Sequence, residues 1–142
     1  MLKGINRLIS PELMKILMEM GHGDEIMFGD ANFPHAAFAK RLVRADGLNT
    51  PDLLKAIVAL FPLDYVADYS AVLCQITAGN VQPDVWDKYD QIIRMFDHGN
   101  KGFLQLPKPD FYERAKGAYC IVATGEREKF ANIILRKGVI VE

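Results

Sequence analysis

His22 lies between two glycines in Gly21-His22-Gly23-Asp24-Glu25, and Asp30 closes the apolar run that follows. An imidazole with a free pKa of about 6.5 both gives and takes protons near neutrality. His22 points to proton-transfer chemistry that needs neither a metal nor a redox cofactor, and Asp30 stands at a strand end where ligand contacts are expected. Each residue also has a plainer reading. Loop histidines are often only solvated, and an aspartate ending a strand is as readily a turn former as a ligand. With Gly23–Gly29 fully extended, His22 and Asp30 would stand about 25 Å apart at roughly 3.3 Å per residue. They share one site only if the strand is short and the Gly21–Gly23 loop curls back, or if two subunits contribute.

Other chemistries find little support in the residues. Neither a Walker phosphate loop nor a dinucleotide fingerprint is present. His22, His35 and His98 are far apart in sequence, so no metal-ligand spacing emerges, and no cofactor is expected. The segment Asp97-His98-Gly99-Asn100-Lys101-Gly102 lacks the regular oxygen ligands and closing Glu of an ion loop and reads as a surface turn. Cys74 and Cys120 sit inside apolar runs and read as buried small hydrophobes.

Size and charge set the class. A chain of 142 residues is expected to form one domain over 1–142 with a single core. Its 17 basic and 18 acidic residues are interspersed, leaving a net charge of −1 and no basic stripe for nucleic acid or an anionic membrane. No apolar run approaches the length of a membrane span. Met1–Ser10 does not read as a signal peptide, so a cytoplasmic protein is expected.

The elements that must position these groups are well marked. Ser10-Pro11-Glu12 and Thr50-Pro51-Asp52 are helix starts, with the first helix stopping at Gly21 and the second before Pro62. Further helices are expected to open at Pro83-Asp84 and near Pro109-Asp110. Between them, Ile26–Phe28, Leu42–Val43, Ala71–Ile76, Phe103–Leu106, Tyr119–Ala123 and Ile133–Leu135 have strand character. Several runs are continuously apolar, as in strands covered on both faces. The expectation is a three-layer α/β/α domain with a mostly parallel sheet of about six strands, whose ligands gather beyond the strands' carboxyl ends.

Taken together, Gly21–Glu25 with Asp30, Arg44-Ala45-Asp46-Gly47, Phe111-Tyr112-Glu113-Arg114-Ala115-Lys116, Thr124-Gly125-Glu126, Asn132 and Lys137-Gly138-Val139 resemble the L-fucose mutarotase and D-ribose pyranase family. The likeness runs from Leu2 to Val139 in one register and is nearer the fucose branch. It implies a small cofactor-independent isomerase that interconverts sugar anomers, with pyranase activity belonging to the other branch. It also implies a ring-shaped homo-oligomer, a pentamer or decamer. In that family the histidine matching His22 is the proton donor and the aspartate matching Asp30 binds sugar. Lys108 falls at a basic position that is usually arginine, and Asn132 ends a tripeptide that is usually Tyr-Gly-Asn.

Two departures bear on substrate choice. The tripeptide reads Phe130-Ala131-Asn132, so the phenol hydroxyl is gone, and Lys108 offers a point charge where arginine offers a planar fork. The site residues expected are therefore His22 for catalysis and Asp30, Lys108, Tyr112, Phe130, Ala131 and Asn132 for binding a small neutral monosaccharide. Tyr112 and Phe130 read equally well as core. Phe33, Tyr69 and Phe130 are candidates for an apolar wall. Met14, Met18, Met27 and Phe33 exceed what one small pocket needs, which suits a subunit interface. A sugar-binding accessory without turnover, and a structural oligomer, remain as alternative readings.

Overall fold

The computed structural model describes residues 1–96 and 101–142. Most of the Asp97–Gly102 stretch, including His98, therefore lies outside the described residues. Six strands form one sheet: β1 (Glu25–Gly29), β2 (Leu42–Ala45), β3 (Ala71–Cys74), β4 (Phe103–Leu106), β5 (Cys120–Thr124) and β6 (Ile133–Arg136), in the order β2-β5-β1-β6-β3-β4. Pairs β1–β5, β2–β5 and β3–β4 are parallel, while β6 runs antiparallel to both β1 and β3.

Alternation along the strands divides the core into two layers. Ile26, Phe28, Cys120, Val122, Ile133 and Leu135 face α1 (Pro11–Glu19), α3 (Thr50–Val58) and α4 (Val85–Phe96). Met27, Ile121, Ile134, Val72 and Cys74 face the other way, against α5 (Lys108–Gly117) and the short α2 (His35–Phe38). Successive strand side chains point to opposite faces, so a continuously apolar run must be covered twice. All five residues of β5 are buried. Both cysteines are buried and unbridged, as expected from their runs. No helix among the described residues is long and apolar enough to cross a membrane.

Local signals explain the helix ends, with two corrections. Ser10 caps α1 by accepting the Leu13 N–H at 3.1 Å, as its position predicts. The α3 cap is Asn49, which accepts the Asp52 N–H; Thr50 is already helical, and its hydroxyl meets that of Thr124 at 3.0 Å. The turn after α1 needs a left-handed residue at Gly23 (φ +87°), and α1 is capped at Met20 with extended backbone. The helix α2 was not expected, because four residues are too few to show a period.

One consequence of strand order governs the rest. β5 and β6 flank β1 on opposite sides, so the segment joining them, residues 125–132, must pass over the carboxyl end of β1. Asp30 stands there. Gly125 permits the turn, since a Cβ on it would drive into the Asp46 carbonyl oxygen.

Candidate active site

The crossing segment is bonded to the end of β1 at two points. The Ala31 N–H donates to the Glu126 carbonyl at 2.8 Å, and the Asp30 N–H donates to Asn132 Oδ1 at 2.7 Å. Asp30 Oδ1 accepts the Asn32 N–H at 2.9 Å, closing an Asx turn. Behind this lies a buried polar cluster: Thr124 Oγ1 donates to the Gly29 carbonyl, and the Glu126 carboxylate accepts the N–H groups of Arg127 and Glu128. Gly29 itself has no room for a side chain, because a Cβ would stand 2.5 Å from Nε2 of the buried His35.

Beyond the carboxyl ends of β1, β3 and β4 this arrangement leaves a cavity of about 380 Å³. It is lined by Asp30, Asn32, Asn132, Lys108, Thr77 and Asn80 as polar groups, with Phe33, Tyr112 and Phe130 as rings. The volume falls in the range usual for small-ligand sites, and so does the mixture of rings with a few fixed polar groups. Phe33 and Tyr112 meet edge to face at 5.3 Å, and Lys108 Nζ lies 5.3 Å from the Tyr112 ring centre. Burial pushes the Asp30 carboxyl above its ordinary value, against the pull of the Asn32 and Phe33 backbone N–H groups and of His35. Burial likewise raises the Cys74 thiol at the cavity edge, leaving it protonated and a poor nucleophile.

His22 is at the opposite end of the same strand. Between them runs β1, about 16 Å of extended chain over its five residues at roughly 3.3 Å each. The Gly21–Asp24 loop is tied down: Asp24 Oδ2 accepts the Gly21 N–H, and the Gly23 N–H donates to the Lys137 carbonyl. His22 Nε2 is 3.5 Å from Asp64 Oδ1, and Asp64 Oδ2 is 2.8 Å from Arg136 Nε. Burial works to raise the Asp64 carboxyl, but the Val66 N–H, His22 and Arg136 together outweigh it and hold it below the ordinary value. The His22 side chain is 48% exposed while that of Asp64 is 3% exposed. The result is an open imidazole leaning on a buried carboxylate.

Five of the expected site residues, Asp30, Lys108, Tyr112, Phe130 and Asn132, thus line one cavity. Ala131 has its methyl in the core and presents only backbone nearby. Of the three aromatic wall candidates, Phe33 and Phe130 line the cavity, whereas the Tyr69 hydroxyl accepts from Arg114, which also grips Glu25. Sequence reasoning missed Asn32, Thr77, Asn80 and Lys129 in the cavity, and Asp64 beside His22. The strand-end rule would have found Thr77 and Asn80, which follow β3 directly. Asp64, between Leu63 and Tyr65, carries no sequence signal. Among the described residues no group of three or more His, Cys, Asp and Glu is placed to hold a metal ion.

A larger concavity lies elsewhere. A groove of about 790 Å³ runs along the outer face of α1, lined mainly by apolar groups such as Met1, Leu2, Ile5, Met14 and Met18, with Asn6 and Glu19 among its polar groups. A second apolar hollow, with Met14, Leu17, Met18, Phe61 and Ile140, adjoins it through the two methionines.

Known proteins share this fold over nearly the whole chain. The family model of the RbsD / FucU transport protein family matches residues 3–140. The fucose mutarotase of Streptococcus pneumoniae, solved in complex with L-fucose, is 50% identical, with 99% of this chain and 100% of that chain covered and a TM-score of 0.95. FucU from Bifidobacterium longum is 43% identical, with 98% and 100% covered and a TM-score of 0.94. The chain belongs to the RbsD / FucU transport protein family.

Proposed function

We propose that this protein interconverts the α and β anomers of L-fucose, or of a related small neutral aldose, by general acid–base opening and closing of the sugar ring. The observation that carries the reading is the cavity in which Asp30, Asn132 and Lys108 meet Phe33, Tyr112 and Phe130. Carboxylate and amide groups suit sugar hydroxyls, and aromatic faces suit an apolar sugar face or a 6-methyl group. The half-identical relative that carries L-fucose in its structure supports the same substrate class.

Ring opening removes the proton of the anomeric hydroxyl, forms the carbonyl at C1, breaks the bond from C1 to the ring oxygen and protonates that oxygen. Rotation about C1–C2 and the reverse steps give the other anomer. One imidazole near neutrality, working with a second polar group or a water, is adequate, since each positioned acid or base contributes roughly 10²–10⁴-fold. His22 takes that role, with Asp64 Oδ1 standing 3.5 Å from its Nε2 to orient the ring. Lys108 supports negative charge developing on oxygen.

His22 and the cavity stand at opposite ends of β1, so we place the His22 of one copy against the cavity of another. The chain is then a homo-oligomer with shared sites. Met18 and Ile140 are exposed apolar groups that line one hollow with Lys137, whose carbonyl accepts from Gly23 in the His22 loop. They support this, since exposed apolar surface suits a subunit contact. Saturation-transfer NMR between the anomers of L-fucose tests the activity. Faster exchange with protein present is the expected result; line broadening without exchange would mark a sugar-binding accessory instead.

A further inference from the structure

Phe130 is the one non-glycine residue among the described ones with positive φ, at +58°. Left-handed backbone is unfavourable for a bulky side chain and persists only where the surroundings over-determine it. Here the surroundings are the first turns of α4. The Trp86 indole Nε1–H donates to the Phe130 carbonyl at 2.7 Å, and the Tyr89 hydroxyl donates to the Ala131 carbonyl at 2.6 Å. A third contact, from the Val85 N–H to the Glu128 carboxylate at 3.5 Å, lies just before them. Trp86 and Tyr89 are both buried. Burial raises the Tyr89 phenol strongly, so it stays a donor at every working pH.

These bonds act on consecutive carbonyls of the segment that carries two cavity groups. Phe130 turns its ring to the cavity on one side of Ala131, and Asn132 offers its amide on the other. Neither Trp86 nor Tyr89 lines the cavity. We propose that Trp86 and Tyr89 are positioning residues: they hold Phe130 in its left-handed conformation and thereby set the Phe130 ring and the Asn132 amide for the sugar. The consequence for sugar binding rests on the function proposed above. The consequence for the backbone does not.

Two conservative variants test it. Trp86→Phe keeps a ring but removes the N–H, and Tyr89→Phe removes only the hydroxyl. In the sugar-free protein, amide hydrogen exchange of the 128–134 segment should rise about tenfold in each variant while β1 and β5 keep their protection, as for a local opening. Exchange spectroscopy over a range of L-fucose concentrations should show KM raised about tenfold with kcat changed less, the signature of lost ground-state positioning. Trp86→His, which restores a ring N–H, should recover part of both effects. Unchanged protection of 128–134 in both phenylalanine variants would overturn the proposal, as would a uniform loss of protection across the sheet. If wild-type protein fails to speed anomer exchange, the proposed function falls, while the protection measurement still decides the pinning. If wild type is active and both variants keep its KM, the positioning role falls alone.

Discussion

The Asp30 backbone N–H donates to the Asn132 side-chain oxygen across 102 positions of sequence, so two groups facing the cavity are also bonded to each other. That bond exists because the segment from β5 to β6 crosses over β1. It ties the end of β1 to the start of β6, while the Asp30 carboxylate accepts from the Asn32 backbone N–H.

The Asp30 carboxylate is therefore held at a cost in stability. Its folded value is raised by burial, so ionisation destabilises the fold, and the penalty appears as pH rises through the folded value. Asp30→Asn keeps an acceptor for the Asn32 N–H and removes the charge. At pH 7 its melting temperature should equal or exceed that of wild type, while sugar affinity falls about tenfold or more, as for loss of a charge-assisted hydrogen bond. A sharp fall in melting temperature with unchanged affinity would make Asp30 a turn residue only.

Replacing His22 with alanine should lower anomer exchange by roughly 10² or more and leave the fold intact, since the loop is held by Asp24 and Lys137 instead. Asp64→Asn should weaken exchange less and also change stability. The Asp64 carboxyl is depressed in the folded protein, so its contribution is present above the ordinary carboxylate value of about 3.9 and is lost as pH falls through the depressed folded value. Thermal unfolding of wild type and Asp64→Asn should thus converge toward strongly acid pH and differ at neutrality. Parallel curves across the whole range would remove the linkage.

Much of this site was legible in the residues, and the reasons for the remainder are physical. Helix starts at Ser10-Pro11 and Thr50-Pro51 and the apolar runs gave six strands nearly in place, because caps and burial are local properties. Asp30 was marked by its place at the end of an apolar run, Lys108, Tyr112, Phe130 and Asn132 came from the family likeness, and the cavity unites them. The reversal of β6 was not legible, since an apolar run reads the same in either direction. With it went the reason that 125–132 passes over Asp30. Asp64 and Trp86 act through contacts 42 and 44 residues away in sequence, which no periodicity records.

Phe130→Tyr restores the hydroxyl usual in the family at a ring that already lines the cavity. One added hydrogen bond contributes about 0.5–1.5 kcal/mol, so KM for L-fucose should fall by up to about tenfold if the sugar is fucose. Unchanged or higher KM would indicate a different aldose, and a panel of aldoses measured on both proteins would identify it.

His22 and Asp30 occupy opposite ends of β1, so the proposed site, which uses both, draws on two copies, and complementation tests it. His22→Ala and Asp30→Asn chains are each expected to be weak alone. Unfolded together in equal amounts and refolded, they assemble at random. A site taking His22 from an Asp30→Asn chain and Asp30 from a His22→Ala chain has neither defect. About a quarter of the sites in a closed homo-oligomer should then be wild type, and exchange should recover to roughly that fraction. Sedimentation of the wild type at micromolar concentration should show an assembly well above the monomer mass of 16.0 kDa. Recovery absent from the mixed sample, or full activity in a monomer at high dilution, would place each complete site within one chain.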